Sequence, residues 1–346
     1  MASLSKKDNT GDFQSVIYRM EIQVESRFRD RNKLAWVLVT AGMLIIPLIL
    51  GEGYYLNVMN FAAIYSMVAI GLCLLVGYGG QLSISHSAFT AIGAYASAIL
   101  SLRYDLPPLL TILMSQCISA LIAWGIGAVV LRLKGHYLAI ATLSFTIIVE
   151  TSVKEMTWLT GGLQGLSSIP SVSVGGIIID SDWRFYYLAW PLAMLLLLFA
   201  LNLVDSRMGR VFRAIKEGED IALLFGADAR RYKIKLFILS SCYASLAGSL
   251  YGHYVTFVSP SAGSIMFAVE IILVTALGGY TLLWGAIVGM FTLTLLNEYL
   301  SVFAEYKRAI YGLTLVIIML FFPNGILLGI KDSIARLFGV SERRRG

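Results

Sequence analysis

The run Gly53–Leu102, GYYLNVMN FAAIYSMVAI GLCLLVGYGG QLSISHSAFT AIGAYASAIL SL, holds 50 consecutive residues without Asp, Glu, Lys or Arg. As a single helix it would reach about 75 Å, whereas the hydrocarbon core of a bilayer is about 30 Å thick. Two crossings are therefore required. Gly77, Gly79 and Gly80 mark the turn between them, because glycine accepts a sharp bend without steric cost. By the same reasoning Leu236–Ala304, interrupted only by Glu270 and Glu298, has room for three crossings.

Outward from that run, apolar stretches place ten spans, near 34–51, 54–77, 82–102, 107–131, 137–159, 185–204, 236–257, 265–281, 283–303 and 309–329. The chain is 58% hydrophobic and 14% charged, with a mean hydropathy of +0.76, and its charges fall in blocks between the spans. The expected fold class is all-α, a polytopic membrane helix bundle of about ten transmembrane helices. The first 33 residues carry seven basic residues and no apolar leader, so Leu34 opens an ordinary first span and not a secretory signal.

Lysines and arginines of short loops collect on the cytoplasmic side of membrane proteins. With the N-terminus inside, 22 of the 27 fall on that side. Arg103, Arg184, Lys307 and Arg308 fall on the other, and Lys154 lies within a span. Both termini are thus expected in the cytoplasm, and the net charge of +6 is explained without a nucleic-acid partner. Residues 1–33 form a cytoplasmic segment in which Phe13, Ile17, Met20, Val24 and Phe28 share one helical face, the pattern of an amphipathic helix on the inner leaflet; a solvated helical tail is the alternative. Residues 34–330 form the transmembrane domain, and 331–346 a basic cytoplasmic tail.

Gly93-x-x-x-Ser97, Gly248-x-x-x-Gly252 and Gly285-x-x-x-Gly289 have the spacing that lets helix backbones approach closely in lipid. Cys73, Cys117 and Cys242 fall inside expected spans and read as buried small hydrophobes. Polar groups within spans are expensive and tend to be functional. Gln81, Ser83, Ser85 and His86 open the third span, and Thr142, Thr146 and Glu150 share one face of the fifth. All seven are candidates for a substrate path. Ser144, Glu270 and Glu298 are further intramembrane polar groups. Against these roles, Glu150 can pair with Lys154 one turn on, and His86 can be held within a helix-start turn.

The longest polar loop on the basic side, 205–235, is far longer than a bare connector needs to be, and Ile215, Ile221, Ala222 and Phe225 can form an apolar stripe along it. It looks built to dock. No Walker A sequence, metal-ligand cluster or nucleophile–base pairing is legible, so the chain is not expected to be an enzyme or to hydrolyse ATP.

Within that loop Ser206–Glu219, SRMGRVFRAIKEGE, with Ala222, Gly226 and Tyr232-Lys233 beyond it, resembles the "SRxGRAxxAIRExE" cytoplasmic loop of branched-chain amino acid ABC permeases of the LivM type. Gly77–Phe89 with Ile92–Tyr95 resembles the family's "GxxGQLSxGHAAFxxIGAY", Arg132–Leu143 its "RLRGxYLAIxTL", and Thr160–Leu166 with Ile169-Pro170 its "TGGxxGLxxIP". Leu277–Tyr280, Trp284–Gly289 and Phe322–Gly325 complete a series covering roughly 54–330. Two departures stand out: Ser85 replaces the usual glycine before His86, and Gly278-Gly279-Tyr280-Thr281-Leu282 replaces "GGxGT".

The resemblance implies a type II-like ABC importer permease of a bacterial inner membrane, forming half of a translocation path for branched-chain amino acids or similar small polar solutes. Urea, amides and aromatic acids are alternatives. It implies a second homologous permease subunit, two ABC ATPase subunits that bind ATP and Mg, and an extracytoplasmic solute-binding protein, with no cofactor in this chain. The loop then supplies the coupling helix, with Arg213, Lys216, Glu217, Glu219, Asp220 and Gly226 as contacts to the ATPase. A rival of another class, an ion-coupled secondary transporter, calls for an inverted repeat and midplane charges, and neither is apparent.

Overall fold

The computed structural model describes residues 39–48, 53–224, 226–280 and 282–299, together with Trp36 and Gly312. The amphipathic segment within 1–33, the span 309–329, Phe225, the Phe322–Gly325 motif and the tail 331–346 lie outside the described residues. A short apolar helix, α1 (Val39–Leu48), belongs to a separate compact unit.

The second unit is the helix bundle. Helix α2 (Tyr54–Leu72) runs on as a π-helix (Cys73–Tyr78) and gives way to a non-helical stretch at Gly80–Ile84. Then come α3 (His86–Tyr104), α4 (Pro108–Val130), α5 (His136–Glu155), the single turn α6 (Thr157–Thr160) and α7 (Asp182–Asp205). Helices α8 (Arg207–Glu217), α9 (Glu219–Leu224), α10 (Ala229–Val255), α11 (Ile265–Gly278) and α12 (Leu283–Tyr299) follow. Among the described residues, five helices are long and apolar enough to cross a bilayer: α2 with its π extension, α4, α5, α7 and α10. They answer to the expected spans at 54–77, 107–131, 137–159, 185–204 and 236–257.

The expected span 82–102 becomes α3, whose 19 residues reach about 28 Å, close to the hydrocarbon thickness. It is not among the five, and its surroundings explain why. Helix α3 packs mainly on α10 and α4 and is largely buried, so protein and not lipid meets its serines and threonines. Where the sequence calls for two crossings at 265–281 and 283–303, the chain forms two short helices, α11 of 14 residues and α12 of 17, bent by 119° at Gly279–Leu282. At about 21 Å, α11 is too short to cross alone. The pair is a broken span or a re-entrant hairpin, in which Gly278 and Gly285 meet so closely that a Cβ on either would strike the other's backbone.

Side-chain caps set several helix starts. Ser206 Oγ accepts from the amides of Met208 and Gly209, Asp228 from Arg231, and Ser264 from Phe267. The Asp228 cap explains why α10 begins at Ala229, seven residues before the expected span: the helix emerges from the apolar layer and absorbs the end of the 205–235 loop.

Helix α10 is the hub, packing on α2, α3 and α4. A Cβ at Gly248 would fall on the Thr90 carbonyl and one at Gly93 on the Ser245 backbone, so the small-residue motifs are helix contacts as expected. Serines bind the hub further: Ser115 Oγ lies 2.7 Å from Ser249 Oγ, and Ser119 Oγ donates to Ser245 Oγ at 2.7 Å. Of the cysteines only Cys73 is buried; Cys117 is exposed on α4 beside Leu121 and Trp124, a correction to the sequence reading.

Alternating helix directions sort the loops to two ends. At one end β1 (Leu166–Ser167) pairs antiparallel with β4 (Phe257–Val258), while β2 (Ser173–Val174) pairs with β3 (Ile177–Ile178). Tyr254 there donates to Asp182 Oδ1 at 2.7 Å and accepts from the amides of Asn57 and Asn60. At the other end lie the π-helix terminus, 131–135 and α8–α9.

Candidate coupling surface and polar pathway

Helix α8 is strongly amphipathic. Its Phe212 and Ile215 are buried, and Ile215 clusters with Ala222 and Ala229 against Val211, Ala214, Ala227 and Tyr232. Of the expected stripe, Ile215 and Ala222 face inward. Ile221 does not: α9 is a separate helix after Gly218, and its turn leaves Ile221, Leu223 and Leu224 exposed, Leu224 at 86%.

The six coupling candidates divide by direction. Lys216 Nζ donates to the Gly77 carbonyl at 2.8 Å, and its stem lies against Gly80, so it fastens α8 to the end of the π-helix. Arg213 reaches back to the Val204 carbonyl at the end of α7. Glu219 pairs with Lys134 at 3.1 Å and with Lys233, tying α9 to the α4–α5 loop and to the base of α10. The Lys233 hydrogen bond, with Lys134 beside it, holds the Glu219 carboxyl below its ordinary value. Glu217 and Asp220 are exposed and, among the described residues, carry no hydrogen bond or ion pair. Gly226, at φ +71°, is exposed with open space around it.

Directly above, Gly80–Ile84 is non-helical, with Gly80 at φ +64°, and the Thr142–Thr146 face of α5 serves it. Ile84 N donates to Thr142 Oγ1 at 3.1 Å, and Thr146 Oγ1 donates to the Ile84 carbonyl at 3.0 Å, replacing the partners an unwound segment loses. Ser85 Oγ pairs with Ser83 Oγ at 2.9 Å, which accommodates the hydroxyl that replaces the family's glycine. His86 is held across the bundle and not within its own turn. Ser240 Oγ lies 2.6 Å from His86 Nε2 and donates to the Gly71 carbonyl at 2.6 Å. Ser240 has one proton, which goes to the carbonyl, so His86 must donate from Nε2. That leaves His86 Nδ1 without a partner among the described residues, along with both ends of the buried Gln81 amide.

Glu150 stands apart from this group. Lys154 donates to its Oε1 at 2.7 Å and the Ile265 amide to its Oε2 at 3.2 Å, so it caps α11. The pairing weighed against a path role is the one found.

Two cavities adjoin the bundle near the β1–β4 end. One of about 260 Å³ lies among α2, α11 and α12, lined among others by Asn57, Tyr65, Phe267, Glu270, Thr294 and Asn297. The other, about 80 Å³, shares Tyr65 and Phe267 and reaches Thr90 and Tyr251. Of these residues the sequence reading noted only Glu270. The signal for the rest is diffuse, single polar or aromatic residues on three helices that only the fold gathers.

A family model described as branched-chain amino acid transport system / permease component matches residues 54–319. The permease protein LivM of the high-affinity branched-chain amino acid transport system of Escherichia coli K12 is 29% identical over 320 residues, covering 86% of this chain and 75% of the relative. LivM of Salmonella typhimurium LT2 is 30% identical over 294 residues, covering 78% and 69%. LivH of the same strain is 27% identical over 293 residues, covering 78% and 93%. The matched span takes in every helix from α2 to α12, including the hub, the unwound segment and α8–α9: the chain is a multi-pass membrane permease and belongs to the branched-chain amino acid transport system permease family, of the LivM type.

Proposed function

We propose that this chain is one of two permease subunits of an ATP-driven importer, forming half of a path for branched-chain amino acids or closely similar small solutes. The substrate reading rests on the names of its relatives, the LivM and LivH permeases of high-affinity branched-chain amino acid systems. Two ATPase subunits carrying ATP and Mg, and an extracytoplasmic binding protein, complete the assembly. The α8–α9 end faces the cytoplasm, in accord with the basic residues of 205–235, and so do both termini, with 1–33 and 331–346 flanking the permease domain. Two cytoplasmic termini require α11–α12 to be the re-entrant form, which returns to its starting side as two crossings would, and not a single broken span.

The observation that carries the reading is the Lys216–Gly77 hydrogen bond, which joins an amphipathic surface helix to the end of a transmembrane helix just before its unwound segment. Glu217, Asp220, Leu223 and Leu224 form the face offered to the ATPase. Lys216, Arg213 and Glu219 pass its movement inward. Closure of the ATPases on ATP displaces α8, and the π-helix, a form rare outside functional sites, yields with Gly80–Ile84 to open the path from one side to the other.

Reconstituted with its partner subunits and binding protein, the assembly is expected to accumulate radiolabelled leucine with ATP and Mg and without an ion gradient. Uptake that follows an ion gradient and ignores ATP would assign the chain to secondary transport instead.

A further inference from the structure

The cavity of about 260 Å³ among α2, α11 and α12 belongs to neither the coupling surface nor the Gln81–His86 cluster, and it contains a carboxylate. Glu270 sits on α11, where Asn297 Nδ2 of α12 donates to its Oε1 at 2.9 Å. A half-buried carboxylate on an otherwise apolar helix is costly to maintain and is a functional-site signal. Around it stand aromatic faces: the Tyr65 and Phe267 rings lie 5.2 Å apart, and Phe61 and Tyr65 stack at 6.1 Å. Such faces attract a cationic ammonium. Val58, Met290 and Leu293 supply apolar wall; Asn57, which gives one amide proton to Tyr254, has a second to donate to a carboxylate, and Thr294, whose proton goes to the Met290 carbonyl, has lone pairs that can accept from an ammonium. The volume suits one small molecule.

We infer that this cavity is a transit site for the solute itself, in which Glu270 receives the ammonium group of a small zwitterion and the Val58, Met290 and Leu293 wall receives its short apolar side chain. The inference rests on the importer reading and adds to it a selectivity step within the membrane. The adjoining cavity of about 80 Å³ shares the Tyr65 and Phe267 walls and is lined further by Thr90, Tyr251 and Ser261.

The test uses the complete assembly in proteoliposomes and reads leucine uptake and binding-protein-stimulated ATP hydrolysis side by side. Glu270→Gln is expected to lower uptake by about tenfold or more, the scale of one lost charge-assisted hydrogen bond, while stimulated hydrolysis stays within about twofold of wild type. Glu270→Asp keeps the charge and is expected to recover part of the uptake with a raised half-saturation. Glu270→Gln uptake within about twofold of wild type overturns the inference, as does loss of uptake and hydrolysis together that Glu270→Asp does not relieve. If Glu270→Gln does not reach the membrane, Thr294→Phe, which fills the cavity, decides: retained uptake overturns the site and selective loss of uptake supports it. Wild-type assembly that takes up no leucine on ATP overturns the importer reading itself, a result distinct from all of these.

Discussion

Ser240 illustrates how one side chain can hold two helices in register. Its hydroxyl serves the Gly71 carbonyl on α2 and receives His86 Nε2–H from α3 while standing on α10. Ser240→Ala strands a buried carbonyl and a ring N–H together, and we expect a loss of about 1–3 kcal/mol, seen as a lower melting temperature of the purified protein in detergent. Retained stability would mean that neither group needs the hydroxyl. His86 was legible as an intramembrane polar residue, yet its partner lies 154 positions away and is one of many serines in the sequence, so the pairing was not. The Glu150–Lys154 pair was legible as one of two readings, because the partner is one helical turn along the same helix, whereas the Ile265 amide, 115 positions away, was not. Glu219 offers a test by pH. Its carboxyl is held below the ordinary value by Lys233 and Lys134, so the ionised form favours the folded arrangement. That stabilisation is present above the unfolded-state value and fades as pH falls through the lower folded-state value. Hydrogen exchange of α9, taken relative to the intrinsic rate at each pH, is expected to quicken on acidification through the carboxylate range in the wild type. In Glu219→Gln it is expected to be fast throughout.

Among the elements, α3 and α10 pack in close contact; the glycine spacing marks both as contact helices but does not say that they meet each other. Gly248→Leu places a side chain where the Thr90 carbonyl lies, with backbone and no flexible side chain in the way. We expect it to separate the helices and abolish accumulation of folded permease in the membrane, as judged by size-exclusion profiles. The α11–α12 hairpin was not legible to the same degree. Hydropathy registers apolar length but not a 119° reversal, and Gly278, Gly279 and Gly285 read equally well as packing residues or as a turn. The exposure of Ile221 was missed for a related reason: a single continuous helix puts it on the stripe, whereas the break at Gly218 starts a new helix with its own phase.

For the whole molecule, the charge blocks and apolar runs settled the class of protein, and the loop motifs settled the family that the comparisons support over 54–319. What composition did not reveal is the mechanical link, a lysine on a surface helix bonded to the backbone of a transmembrane one. The central claim is that ATP drives transport through α8–α9. Its most direct test is ATP-dependent leucine uptake by the complete assembly carrying Glu217→Arg, with a deletion of 213–226 beside it. Glu217 is exposed and without a partner among the described residues, so the charge reversal alters the docking face and spares the fold. The account predicts that Glu217→Arg permease still reaches the membrane while uptake falls to a small fraction of wild type, and that the deletion abolishes it. Uptake at the wild-type rate in either variant would contradict it.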